Sequence, residues 1–157
     1  KRVEGLTKEL LSEYDIVAIS DYNKGFLLKK DIKFICDNHD NVFVDTKKKI
    51  GDFCKNARYI KINSIEYSNS EDYIEKNQWT FDKIIKTCGS LGCKLGTEAY
   101  LVEKVEIKDV CGAGDTFLAS LCVKYQETAD IIKSIKFANE CASIVVQLKG
   151  VNTVGKI

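Results

Sequence analysis

Asp109-Val-Cys-Gly-Ala-Gly-Asp115-Thr-Phe117 sets three small residues and an acid at the mouth of an amphipathic stretch, Thr116 to Tyr125. Gly112, Ala113 and Gly114 carry little or no side chain. Three successive backbone N–H groups can therefore lie open at a helix N-terminus, where unsatisfied donors and the helix dipole favour an anion. A phosphate fits such a turn. Asp115 stands in the same turn and can accept a proton from a hydroxyl that attacks the phosphate held beside it. These are the parts of a phosphoryl-transfer site. Asp and Gly are also ordinary residues of a helix start, so an isolated Gly-x-Gly-Asp would be explained by capping alone.

The elements that must position this turn follow from the hydrophobic pattern. Asp15-Ile-Val-Ala-Ile-Ser20 is an apolar run, a helical pattern covers Leu28 to Asp37, and Asn41-Val-Phe-Val-Asp45 is a second apolar run. Arg58-Tyr-Ile-Lys-Ile62 is the third, after a short helical connection. The three strands end in polar residues: Ser20 and Asp21, Asp45, and Asn63. Buried β-runs separated by helices predict an α/β fold with a mostly parallel sheet flanked by helices, and such sheets bind ligands beyond the carboxyl ends of their strands. Ahead of the first strand, Leu6, Leu10 and Leu11 read as one face of a helix.

From Phe81 the pattern shortens. Lys83 to Cys88, Cys93 to Leu95, Ala99 to Val102 and Val105 to Ile107 are β-like pieces split by Gly89, Gly92 and Gly96, which predicts turns and an antiparallel edge. Two helices close the chain, Gly112 to about Glu127 and Ala129 to about Lys149. Gly150 is the expected C-cap of the second.

Composition bounds the class. A chain of 157 residues, 45% hydrophobic and without a linker or composition shift, is expected to form a single domain spanning 1–157. With 24 basic against 23 acidic residues, no global field points to nucleic acid or a membrane surface. The one cationic run, Lys47-Lys48-Lys49, reads as a solvated face. Seven cysteines without a signal peptide or a Cys-x-x-Cys read as reduced cytoplasmic thiols rather than a disulfide frame, and Cys88 and Cys93 as residues bracketing a glycine turn rather than a metal site. His39 is the only histidine, so histidine-dependent triads lack parts. Lys1 is an unusual start and no methionine occurs, so the sequence is expected to be a fragment.

Asp-x-x-Gly-Ala-Gly-Asp-Thr at a strand-to-helix junction resembles the signature of the ribokinase-like (PfkB) family of sugar kinases. Ser20-Asp-Tyr-Asn-Lys-Gly25, Asp45-Thr-Lys47, Phe137-Ala-Asn-Glu-Cys-Ala142 and Gly150-Val-Asn-Thr-Val154 are similar, in order, to segments of the heptose 7-phosphate kinase branch of that family, which serves ADP-heptose synthesis. The match runs from about Tyr14 to the end and implies the C-terminal part of a sugar kinase domain.

The resemblance implies ATP as phosphoryl donor, a small sugar as acceptor and Mg2+ as cofactor. It makes Asp115 the catalytic base and Gly112, Ala113 and Gly114 the anion hole. Asn63-Ser-Ile-Glu66 matches the family's Asn-x-x-Glu, which organises magnesium and its waters near the nucleotide phosphates; the plain alternative is a helix cap at Asn63 with Glu66 in its capping box, and both can hold. Thr87, Gly89 and Gly92 match an element lining the ATP site, and Asn139 falls where the last helices approach the adenine; a β-turn and a polar helix face are the plain alternatives.

Thr46 stands where the branch has Pro, Lys61-Ile62 where it has Thr-Pro, and Cys111 where the signature has Thr, which puts the loop conformations in question. The family's front half, with its sugar-binding residues and lid, has no counterpart here. A sheet without those strands exposes an edge, so self-association into a homo-oligomer is expected. Two rival readings stay open: a fructokinase- or ribokinase-type enzyme, and a non-catalytic nucleotide-binding or assembly module.

Overall fold

The structure is a computed structural model that describes residues 3 and 5–155. They form two compact units, one of residues up to 88 together with 94–98, the other of residues 89–93 together with 99 onward.

The first unit is built on parallel strands: β1 (Val17–Asp21), β2 (Val42–Thr46), β3 (Tyr59–Asn63) and β4 (Ile84–Thr87). Val17 pairs with Val42, Val44 with Ile60, and Ile60 with Ile84. Val42, Phe43 and Val44 are consecutive and all buried, as are Ile60, Lys61 and Ile62. Consecutive burial is what a strand covered on both faces requires, and each large apolar side chain removed from water there contributes about 1.5–3 kcal/mol. The crossover helices are α2 (Lys29–Asn38), which buries Ile32, Ile35 and Cys36 at helical spacing, and α3 (Ser64–Lys76). With β5 (Cys93–Leu95) and β6 (Glu98–Tyr100), joined through Gly96 and Thr97, the strand order is β1-β2-β3-β4-β5-β6. The α/β architecture with helices flanking a mostly parallel sheet is the one the pattern predicts.

The second unit carries α4 (Ala113–Thr128) and α5 (Ile131–Val145), which pack on each other. Phe117, Leu118, Leu121, Cys122 and Tyr125 of α4 and Ile135, Ala138, Cys141 and Val145 of α5 are buried. No helix among the described residues is long and apolar enough to cross a membrane.

Five expectations are corrected. Helix α1 covers only Lys8–Ser12, because the Thr7 hydroxyl accepts from Leu10 N at 3.1 Å and starts it there; Leu6 precedes it and Leu10 is exposed. Residues 1, 2 and 4 of the expected helix lie outside the described residues. The run at Lys83 to Cys88 is no antiparallel edge: Ile84 and Ile85 are both buried, and β4 pairs parallel with β3. Val105 to Ile107 forms no strand, and Leu101 and Ile107 are exposed. Helix α5 begins after Asp130, whose carboxylate accepts from Ile132 N and Lys133 N, and stops at Val145 rather than Lys149. The Val146 carbonyl, which a continuing helix would need, instead accepts from Lys108 N at 2.8 Å and Asp109 N at 3.2 Å. Gly150 is therefore not the C-cap. Last, the lysine run is not simply a solvated face, since the Lys48 side chain is 9% exposed and ion-paired with Asp21.

Candidate active site

Val110, Cys111, Gly112 and Ala113 make the turn that feeds α4. Gly112 has φ 77 and ψ −4, the values of the third residue of a type II turn, where glycine carries no Cβ penalty. The turn closes through Ala113 N–H donating to the Val110 carbonyl at 3.2 Å. This corrects the expectation of three open amides: one of the three donors is spent on the turn itself. Helix geometry gives the next amide, that of Gly114, no partner within α4. Asp115 sits in the first turn of α4, where its charge opposes the helix dipole.

Asp109 holds this turn from behind. One carboxylate oxygen accepts from Cys111 N at 2.9 Å and the other from Gly150 N at 3.1 Å. Those two backbone hydrogen bonds, Cys111 first, keep its carboxyl below the usual carboxylate range. Sequence reading left Asp109 without a role. Its signal was its place two residues ahead of Cys111, the spacing of an Asx turn.

Within the same unit, Gly92 has φ 85, and a Cβ there would stand 2.1 Å from the Tyr100 carbonyl. Glycine is required by that close approach. Asn139, 7% exposed, donates from Nδ2 to the same Tyr100 carbonyl at 3.0 Å. Gly89 has φ 58, and its carbonyl accepts from Gly92 N at 3.1 Å. Gly92 and Asn139 thus meet at one backbone oxygen.

In the first unit, the carboxyl ends of β1, β2 and β3 gather three acid–lysine pairs. Asp21 accepts from Lys48 Nζ at 2.6 Å, from the Thr46 hydroxyl at 2.7 Å and from Asn23 N at 3.0 Å. Burial pushes the Asp21 carboxyl up, but Lys48, Thr46 and the Asn23 amide together outweigh it and leave it below its ordinary value. Lys61, itself buried, donates to Asp45 at 2.6 Å. The third pair is the loosest, Lys47 Nζ to Glu66 Oε1 at 3.4 Å.

Asn63 and Glu66 form a reciprocal capping box at the start of α3. Glu66 N donates to Asn63 Oδ1 at 2.9 Å, and Asn63 N donates to Glu66 Oε2 at 2.8 Å. Among the described residues no cluster of three or more His, Cys, Asp or Glu gathers as a metal cage. Magnesium takes one or two carboxylates and keeps several waters, and Glu66 Oε1, in a long 3.4 Å contact with Lys47 Nζ, has the donor chemistry for it. Thr87 lies at the end of β4, its hydroxyl 3.4 Å from the Ile62 carbonyl and its own carbonyl accepting from Ser64 Oγ at 3.3 Å. Lysines 48 and 61 were not foreseen as site residues; lysine carries no local signal of pairing until strand register brings it beside an acid, as the Asp45–Lys61 register does.

A family model described as pfkB family carbohydrate kinase matches residues 9–156. The chain is 31% identical to the bifunctional protein HldE of Hydrogenovibrio crunogenus over its whole length and spans 37% of that relative. It is 31% identical to the protein of the same name from a Nitratiruptor species, over 98% of this chain and 38% of the relative. Among solved structures, Thermotoga maritima ribokinase superposes over 94% of this chain and 55% of its own, with a TM-score of 0.75 at 19% identity. Arabidopsis thaliana ribokinase complexed with ribose and ATP gives 0.72, also at 19% identity, over 91% of this chain and 53% of its own. At that identity the likeness is one of fold.

Proposed function

The chain belongs to the pfkB family of carbohydrate kinases, and on that premise we propose that it carries the phosphoryl-transfer machinery of a kinase that moves the γ-phosphoryl group of ATP to a sugar hydroxyl. The observation that carries this reading is the position of Asp115 in the first turn of α4, three residues after the left-handed Gly112. Asp115 takes the hydroxyl proton; the sugar oxygen forms its bond to the γ-phosphorus as the bond from that phosphorus to ADP breaks. The N-terminal amides of α4, with the Ala113 donor shared with the Val110 carbonyl, stabilise charge on the transferring group. Asn63 and Glu66 are the residues that would hold magnesium, which when bound would neutralise charge on the nucleotide phosphates. Thr87, Gly89, Gly92 and Asn139 are assigned to the nucleotide by the family resemblance, with the Asn139–Tyr100 bond supporting at least a shaping role.

Heptose 7-phosphate is the proposed acceptor. Ser20 to Gly25, Asp45 to Lys47 and Phe137 to Ala142 support it, together with the relatives named HldE. The test is ATP consumption by the native polypeptide with heptose 7-phosphate, fructose and ribose in parallel. Heptose 7-phosphate is expected to be phosphorylated with the highest kcat/KM. A clear preference for fructose or ribose would move the protein to another branch, and no sugar-dependent turnover would favour a binding module.

A further inference from the structure

The three acid–lysine pairs at the strand ends are not equivalent. Lys48–Asp21 and Lys61–Asp45 both close to 2.6 Å, with all four side chains 15% exposed or less. Lys47–Glu66 stands at 3.4 Å, outside the range of a tight charge-assisted hydrogen bond, and the Lys47 side chain is 48% exposed. Glu66 itself is held: Asn63 N–H fixes Oε2, which leaves Oε1 aimed at the ammonium.

The backbone of Lys47 is equally fixed. Its N–H donates to the Asp21 carbonyl at 3.0 Å, and Thr46 and Lys48 on either side are tied to the Asp21 carboxylate. Only the Lys47 side chain is loosely held. Its Nζ also lies 5.3 Å from the centre of the Tyr22 ring, within reach of a cation–π contact. The ammonium thus has a second favourable neighbour that does not depend on Glu66.

We propose that Lys47 is the resident counter-ion of Glu66, that a divalent cation displaces it from Oε1, and that the Tyr22 ring retains the displaced ammonium. This rests on the reading of Asn63 and Glu66 as the magnesium position. A dication and an ammonium on one carboxylate oxygen repel each other strongly at a few ångströms, so the two occupy it in turn. Lys47 then weakens metal binding when no nucleotide is present and releases a cation beside the site when metal arrives.

The experiment is Mn2+ binding to the chain, followed by loss of the free-ion electron paramagnetic resonance signal in low-salt buffer without nucleotide. Wild type is compared with Lys47→Met, Lys47→Arg and Glu66→Gln, each checked for fold by circular dichroism. Lys47→Met is expected to bind Mn2+ about two- to fivefold tighter, the range set by an exposed ion pair. Lys47→Arg should bind no tighter than wild type, and Glu66→Gln should lose the site. If Glu66→Gln loses the site while Lys47→Met binds no tighter than wild type, the exchange is wrong and the magnesium position stands. If Glu66→Gln binds as wild type does, both are wrong.

Discussion

Three donors converge on the carboxylate of Asp21, and one of them, Thr46, occupies the position where the related branch has proline. A proline stiffens a loop by fixing φ. Thr46 achieves restraint differently, donating its hydroxyl to Asp21 and accepting from Lys48 N at 3.1 Å. The substitution was visible in the sequence, but its compensation was not, because the partner lies 25 residues away on β1. Removing the acid should be costly, since Lys48 would keep a buried charge without its carboxylate. Asp21→Asn is expected to lower stability by about 3 kcal/mol at pH 7, measured by urea unfolding. The pH dependence has a definite sign. The folded Asp21 carboxyl titrates below its unfolded value of about 3.9, so its contribution is complete above that value and is lost as pH falls through the lower folded one. The gap between wild type and variant should therefore narrow on acidification below about pH 4. A gap under about 0.5 kcal/mol at pH 7 would show that the pair contributes no more than a surface contact.

At the scale of elements, what was legible is what depends on local pattern. The strands at Val17, Val42 and Tyr59 and the helix starting beside Gly112 follow from apolar runs and a small-residue turn. The end of α5 does not, because it is set by Lys108 and Asp109, almost 40 residues earlier in the chain, taking the Val146 carbonyl. Nor does the parallel pairing of β4, which requires β3 beside it. The C-terminus of α4 carries a strain that periodicity could not show. Ala129 caps it in the left-handed region at φ 50, with its N–H donating to the Tyr125 carbonyl at 2.8 Å. An L-residue with a Cβ pays about 1–2 kcal/mol there, whereas glycine does not. Glycine also gains freedom in the unfolded chain, worth about 0.4–1 kcal/mol in the opposite sense. Ala129→Gly is thus expected to stabilise the chain by about 0.5–1 kcal/mol, read as a higher urea midpoint. A lower midpoint would mean that the cap is not strained.

At the scale of the molecule, the family was legible because its signature is contiguous: Asp109 to Thr116 carries the small-residue turn, the helix start and the acid in one stretch. The lysines at the strand ends were not, since a site assembled from β1, β2, β3 and α3 has no linear spacing. The structure also changes the reading of the turn, where Ala113 N–H serves Val110 as well as any ligand. Asp115 is the decisive residue, because its place in the first turn of α4 suits a helix cap as well as a base. As a cap alone, its charge is worth about 0.3–1 kcal/mol of stability and nothing in rate. The decisive measurement is Asp115→Asn in the native polypeptide, with sugar-dependent turnover and ATP binding determined on the same sample. Turnover is expected to fall by about two to four powers of ten with nucleotide affinity nearly unchanged. Near-normal turnover in the variant would contradict the account and leave Asp115 as a capping residue.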